Sequence, residues 1–279
     1  MDKQYRVALC FSGQLREWKS AYPSIKKFIE MFDVRPDIFC HTWDFNSTSH
    51  AIMFNTGENE KYDLKEGELD DFLKTYSPTK YLIEDRNKSD LIAVRAYEYI
   101  KLVHKLQEGE DIPHSPYWLA PQYYGISQAS ILKQEYEIEN NFTYDVVFRL
   151  RYDNFFTDGF FKMFLRENIP YVKPFTIYTT HTNPTDTYPY VVIGDVFFMA
   201  DSMSYNIIAD YVNHLPHVFQ CIPNKQARPE DLFAFYIKSN FFKIRPMEGD
   251  VKVKRPQNYF TKLGNVGVEP YACDYGMII

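Results

Sequence analysis

The sequence predicts an α/β fold built on a mostly parallel sheet flanked by helices, and three observations predict it. The first 45 residues run strand, helix, strand. A second helix, predicted over Pro121–Glu139, feeds directly into another apolar strand. That strand, predicted over Asp145–Leu150, reads as buried, and its charges gather where it should leave the sheet. Strand–helix–strand units of this kind are the signature of a parallel sheet.

Taken in order, Arg6–Phe11 is a short apolar run that Ser12-Gly13-Gln14 breaks, which reads as a strand and a turn. Arg16–Phe32 carries Trp18, Tyr22, Ile25, Phe28, Ile29 and Phe32 at helical spacing. Asp37–Trp43 is the second strand. Residues 46–75 are polar and irregular, ending in an acidic helix over Glu66–Thr75, and Thr79–Glu84 is the third strand. Leu91–Leu106 reads as a helix, Glu108–Pro116 as a polar loop, and Pro121–Glu139 as a strong helix. Past Asp153, strands are predicted over Pro170–Thr180, Tyr190–Ala200 and Phe241–Arg245. Helices are predicted over Asp201–Leu215, with Asp201 or Ser202 as cap, and over Pro229–Ser239, with Glu230 and Asp231 in its first turn. From Glu248 the chain reads as an irregular tail. No repeat, low-complexity segment or linker interrupts it. The expectation is one domain over residues 1–279, with 1–155 forming one half and 156–279 the other.

Composition narrows the function classes. Hydrophobic residues are 45% of the 279, enough for a sizeable core, and aromatics are 18%, which suits core packing and also stacking surfaces. A net charge of −6 argues against a nucleic-acid partner, whose footprint is basic and clustered. Cys10, Cys40, Cys221 and Cys273 lie far apart with no zinc spacing, and they read as reduced thiols of a cytoplasmic protein. No signal peptide and no 18-residue apolar span is present, so no transmembrane segment is expected. The sequons at Asn46, Asn87 and Asn141 read as chance matches in that setting.

The residues that carry chemistry cluster after the predicted strands. Tyr144-Asp145-Val146-Val147-Phe148-Arg149-Leu150-Arg151-Tyr152-Asp153 places an Arg-x-Arg-x-Asp group at a strand end, where open α/β sheets bind ligands. Such a group suits a phosphate-rich ligand, with or without a divalent metal. Asp153 is a metal or diphosphate ligand, or else an acid capping the turn. Arg149 and Arg151 alternate with Leu150 and so share a face; one binds phosphate and the other forms a structural ion pair. Asp195 interrupts the apolar run Val191–Phe198, where a carboxylate must be paired or line a cleft, and Gly194 beside it permits close approach of a ligand. Ser12, Gly13, Gln14 and Arg16 form a turn whose backbone N–H groups and guanidinium can hold a nucleotide. His41, Trp43 and Asp44 end the second strand. Trp43 reads equally as core, and His41 has no partner at metal-ligand spacing. Tyr123, Tyr124, Ser127 and Gln128 either line the same pocket or pack in the core.

Four segments in order, Arg6–Arg16, Asp37–Trp43, Tyr144–Asp153 and Gly194-Asp195-Val196-Phe197-Phe198, resemble the glycosyltransferase-like proteins of large viruses, phages and bacterial polysaccharide clusters. They are also similar to the lipopolysaccharide-synthesis proteins called WavE-like. The resemblance covers roughly residues 5–240; each motif is weak alone and their order is the more specific signal. It implies the GT-A fold, a Rossmann-like sheet, with residues 1–155 as the nucleotide-sugar half and 156–279 as the acceptor half. It implies a nucleotide-sugar donor, with His41, Trp43 and Asp44 on the edge near its base and ribose, and a glycan or lipid-linked acceptor. The setting it implies is the cytoplasm, or the host's for a viral member, with peripheral contact at a membrane where the acceptor is lipid-linked.

In that family pattern a DXD motif follows the central strand, and its last acid binds a divalent metal (Mn²⁺ or Mg²⁺) bridging the donor phosphates. Here the three positions are Arg151-Tyr152-Asp153, so only the last acid is present. That departure leaves Arg149 and Arg151 as an alternative source of charge for the phosphates. The pattern also implies an acid-rich segment at a later helix start, which Pro229-Glu230-Asp231 fits. Asp231 is then the general base for the acceptor hydroxyl, with Glu230 beside it and Asp195 as a rival. Against the transferase stands a non-catalytic protein of the same fold that binds a nucleotide or glycan. A different nucleotide-dependent transferase is disfavoured by the lack of a Gly-rich phosphate loop.

Overall fold

The computed structural model describes residues 5–47, 61–105, 116–161, 172–180, 182–184, 191–221, 229–247 and 251–253. Its elements are β1 (Val7–Gly13), α1 (Trp18–Ile29), β2 (Asp37–Trp43), β3 (Phe45–Ser47), β4 (Lys61–Asp63), α2 (Glu68–Tyr76), β5 (Lys80–Glu84), α3 (Arg86–His104) and α4 (Pro116–Glu139). There follow β6 (Val146–Leu150), β7 (Asn154–Phe156), β8 (Thr176–Thr179), β9 (Thr182–Pro184), β10 (Val191–Ile193) and β11 (Phe198–Ala200). Helices α5 (Ser202–Ala209), α6 (Tyr211–Cys221) and α7 (Pro229–Ser239) lead to β12 (Lys243–Pro246) and β13 (Val251–Val253).

The main sheet has seven strands in the order β12-β8-β11-β6-β1-β2-β5. β1, β2, β5 and β6 pair in parallel, β12 pairs in parallel with β8, and β11 alone runs antiparallel to both its neighbours. The expected fold class, a Rossmann-like, mostly parallel sheet flanked by helices, is present. The chain leaves β1 toward β2 and β5 on one side and returns to β6 on the other. The order of strands therefore reverses between β1 and β6, and a crevice opens beyond the carboxyl ends at such a switch point.

Apolar side chains cover both faces. On one face Ala8, Phe39, Val147 and Phe198 pack with Tyr123, Ile126 and Ala129 of α4 and with Tyr211, Phe233 and Ile237 of the later helices. On the other, Leu9, Phe11, Phe148 and Leu150 pack with Trp18, Ile25 and Phe28 of α1 and Phe72 and Tyr76 of α2. Coverage on both sides explains why the strands read as near-continuous apolar runs. Arg149 lies opposite the Leu150 side, as expected, but that face is core rather than open, and Arg149 is only 1% exposed.

Other differences are local. The expected strand Tyr190–Ala200 is two strands, because the chain bends between Ile193 and Phe198. Thr179 Oγ1 holds that bend by donating to the carbonyls of Phe197 (3.1 Å) and Gly194 (3.5 Å). The expected helix Asp201–Leu215 is α5 and α6. Asp201 caps the first, accepting from Ser204 N at 3.1 Å, and Asp210 separates them while accepting from Asn213 Nδ2. The tail beyond Glu248 contains β13, which pairs with β7, a strand with no sequence signal of its own. The helix before the central strand begins at Pro116, earlier than expected, and α3 begins at Arg86. Residues 108–115 of the expected loop lie outside the described residues, as does Cys273.

A buried ionic cluster ties the far edge of this scaffold together. Lys133 Nζ donates to Glu137 Oε2 at 2.7 Å and to Ser202 Oγ, while Ser202 Oγ donates to Glu137 Oε1 at 2.6 Å. Tyr144 N donates to the same carboxylate oxygen at 2.8 Å. One carboxylate so fixes α4 against the start of α5 and the entry to β6. Pairing and full hydrogen bonding are the conditions under which a lysine and a glutamate can be buried.

Candidate active site

The crevice at the switch point is built from the ends of β1, β2, β5 and β6 and from the bend before β11. At the end of β1, Gly13 has φ +132, a conformation that side-chain-bearing residues rarely adopt, and its carbonyl accepts from Thr42 Oγ1 at 2.9 Å. Glycine is thus required where the chain turns out of the sheet. Ser12 is buried with no hydrogen-bond partner on its hydroxyl, while Gln14 and Arg16 are partly exposed in the turn before α1.

At the end of β6, Arg151 grips Asp153. Nε donates to Oδ1 at 2.8 Å and Nη2 to Oδ2 at 2.7 Å, with Asp153 only 3% exposed. The turn is fixed from within, since Asn154 Oδ1 accepts from Arg151 N at 2.6 Å. Tyr152, at the middle position, faces inward. Its ring stacks on Phe11 at 5.6 Å, and its hydroxyl donates to the carbonyl of His41 at 2.9 Å. That one side chain pins the turn to the ends of β1 and β2. Sequence reasoning gave it no role, although an aromatic between two charged residues at a strand end is a usable signal of an inward anchor.

The donor set around Asp153 bears on the metal expected there. Both oxygens of the carboxylate accept from Arg151, and among the described residues no group of three or more His, Cys, Asp or Glu side chains could hold a metal ion. The described residues do not by themselves assemble a protein-built metal centre. They assemble a guanidinium whose orientation a buried carboxylate sets.

At the ends of β2 and β5, His41 Nε2 and Glu84 Oε2 are 2.9 Å apart, and Tyr124 OH donates to Glu84 Oε1 at 3.0 Å. Burial lowers the His41 pKa, and the attraction of Glu84 does not offset it. The neutral ring then carries its proton on Nε2, facing the carboxylate. For Glu84, burial pushes upward, yet the hydrogen bond and charge of His41, with Tyr124 and Lys88, bring its pKa below the usual value. Buried as it is, His41 is neutral, with Glu84 ionised and hydrogen-bonded to it. Trp43 is 3% exposed, edge-on to His41 at 4.8 Å and stacked with Tyr124 at 6.0 Å. Its rings are engaged in packing. Asp44 is exposed at the rim, with its pKa raised by partial burial and by Asp85. Glu84, which positions His41, was missed from sequence, although it is the acid that ends the third strand.

Helix α4 packs over β1 and β2 and approaches them closely at Gly125. A Cβ there would lie 2.9 Å from His41 Nδ1 and 3.3 Å from Ser12 Cβ, so only glycine permits this approach. One turn earlier, Gln122 Nε2 donates to Asp195 Oδ2. Because β11 runs antiparallel, the bend carrying Asp195 lies at the carboxyl edge of β6. Asp195 is 6% exposed, and its charge reaches Tyr123, Tyr211 and Arg149. Glu230, in the first turn of α7, is near enough for its charge to act on Tyr123, while Asp231 beside it is buried. The charges of Asp195 and Glu230 thus both act on Tyr123, and that of Asp195 also acts on Arg149, with Asp231 next to Glu230 along the helix.

No family model matches this sequence, and no curated protein matches it. Solved structures do match. One is mouse xyloside xylosyltransferase 1 in its apo form, 8% identical, with a TM-score of 0.41 over 87% of this chain and 84% of that one. Among the described residues no helix is long and apolar enough to cross a membrane.

Proposed function

We propose that this chain is a glycosyltransferase that moves a sugar from a nucleotide-diphosphate-sugar donor to a glycan or lipid-linked acceptor. The observation that carries this reading is the convergence at the switch-point crevice. A carboxylate-locked guanidinium follows β6, a glycine turn ends β1, and Asp195 lies at the bend beside the end of β6, its charge and that of Glu230 both acting on the buried Tyr123. In the proposed reaction the acceptor hydroxyl oxygen bonds to the anomeric carbon as the bond from that carbon to the diphosphate oxygen breaks. The leaving diphosphate takes the bonding electrons. Arg151, aimed by Asp153, and the backbone of the Gly13 turn stabilise its charge. Asp195, held by Gln122, takes the proton of the hydroxyl, and Glu230 and Asp231 position the acceptor.

Charge on the diphosphate is met by arginine in this reading. A divalent ion joining through the donor's own phosphates would have to compete with Arg151 for Asp153. A specific observation also favours a second reading, a non-catalytic binder, since the lone acid of the family's metal motif is tied up in an ion pair.

The test is a thermal-shift panel of UDP-, GDP-, CMP- and dTDP-sugars, each with and without Mn²⁺. A donor at 100 times its Kd stabilises the fold by about 2.7 kcal/mol. A shift for one nucleotide class that is independent of Mn²⁺ and lost in Arg151→Met supports the proposal. A shift that requires Mn²⁺ returns Asp153 to a metal role. No shift with any donor removes the donor reading.

A further inference from the structure

Arg149 is a buried charge with no ionic partner among the described residues. It lies within β6, paired in register with Cys10 of β1 and Phe198 of β11, and is 1% exposed. Its Nε and Nη1 are buried with no hydrogen-bond partner, and no ion pair to it is formed among the described residues. Burial, and next to it the repulsion of Arg151, lowers its pKa, while the attraction of Asp195 raises it only in part. A guanidinium stays charged at any pH a protein tolerates, so burying it without partners works against folding. Leucine or methionine would fill the same position on a central strand without that cost. A buried cation with unused donors, beside a crevice, is a seat for an anion.

We propose that Arg149 receives a carboxylate carried by the sugar substrate, so that the crevice selects an acidic sugar such as a uronic acid. This deepens the transferase reading and rests on it for the identity of the crevice. The position separates this role from that of Arg151. Arg151 is at the rim, beyond the last residue of β6, where a diphosphate with two charges and a bulky nucleotide can reach it. Arg149 is two residues further inside, in the layer between the sheet and the helices, beside the Tyr205 hydroxyl. One guanidinium balances one negative charge. The charge of Asp195, which also reaches this place, disfavours a second.

The experiment uses the purified full chain, as wild type, Arg149→Met, Arg149→Lys and Arg151→Met. Melting temperature is read with free D-glucuronate and D-galacturonate against D-glucose and D-galactose, and with UDP-glucuronate against UDP-glucose and UDP alone. In the wild type the acidic member of each pair is expected to raise Tm above its neutral twin. Arg149→Met is expected to abolish that difference, to keep the shift given by UDP alone, and to raise the ligand-free Tm by roughly 2–4 °C, because an uncompensated charge has gone. Arg149→Lys keeps the charge, so it retains part of the difference.

Equal shifts for acidic and neutral sugars in the wild type overturn the inference. So does loss of the UDP shift in Arg149→Met, which would assign Arg149 to the diphosphate, or a lower ligand-free Tm in that variant, which would make Arg149 structural. The two proposals fail separately. Uronates that act through Arg149 while no nucleotide binds leave this inference standing without the transferase. Nucleotide binding with no preference for acidic sugars leaves the transferase without this inference.

Discussion

Arg151 and Asp153, two residues apart, form a two-point ion pair at the carboxyl end of the central strand, with N···O distances of 2.8 and 2.7 Å. The pair is the mechanical centre of the proposed donor site. Asp153 is almost wholly buried while the Arg151 side chain keeps 15% of its surface exposed, so the carboxylate acts as the fixed member and the guanidinium as the presented one.

Removing the fixed member should therefore hurt through the arginine. Asp153→Asn is expected to cost about 1.5–3 kcal/mol of stability, the range for hydrogen bonds to charged groups. Turnover is expected to fall by about 10²–10³, the loss seen when one preorganised electrostatic group is removed. Arg151→Met should match it in turnover, and Arg151→Met with Asp153→Asn should be no worse than either alone. Steady-state kinetics of the two single variants and the double variant check this. Additive losses would separate the two residues.

The Gly125 approach predicts a steric effect. Alanine at a helical glycine ordinarily gains up to about 1 kcal/mol from helix propensity. Here its Cβ would press on the His41 ring, which Glu84 holds, and on Ser12. Gly125→Ala is expected to lose about 1–3 kcal/mol instead, the usual cost of overpacking. Urea unfolding should show a lower midpoint with an unchanged slope.

The His41–Glu84 pair predicts a direction with pH. The folded pKa of His41 is below its unfolded value, so between the two the unfolded chain binds a proton that the folded chain does not. Stability from this group is therefore complete above about pH 6.5 and falls as pH drops below it, by at most about 1.4 kcal/mol per pH unit. Glu84 has a folded pKa below its unfolded value, so its contribution is present above the usual glutamate range and is lost as pH falls through the folded value. Both act in the same sense, in sequence. Urea unfolding from pH 8 to pH 5 should show a steeper loss in wild type than in His41→Gln.

The buried cluster at the opposite edge predicts non-additivity. Lys133→Met leaves the Glu137 charge buried without its cation and is expected to cost about 3–5 kcal/mol. Lys133→Met combined with Glu137→Gln should cost less than the sum of the two single changes, because the second removes the stranded charge. A double-mutant cycle in urea measures the difference.

Much of the scaffold was legible because it is local. β2 runs over Asp37–Trp43 and α7 over Pro229–Ser239, both as read from sequence, since apolar periodicity and turn residues mark them directly. What was illegible depends on distant partners. β13 exists because it pairs with β7, nearly a hundred residues earlier, and nothing in Val251–Val253 announces that. The bend before β11 is enforced by Thr179 from another strand. At the site, the sequence brought forward Arg149, Arg151, Asp153, Asp195 and Glu230. It could not say that Asp153 would hold Arg151, that Tyr152 would point inward, or that Glu84 and Gln122 would position His41 and Asp195. Those pairings are set by strand order and by the angle of α4, and neither is written in any one segment.

The most direct measurement is nucleotide release from a panel of UDP-, GDP-, CMP- and dTDP-linked sugars, made with wild type and Asp195→Asn side by side with their thermal shifts. The account predicts that one donor class both stabilises the wild type and is broken down by it. It predicts that Asp195→Asn keeps the shift while release falls by about 10² or more, the contribution typical of a positioned base. A chain that binds a nucleotide sugar but never releases its nucleotide, or that binds none, would contradict it.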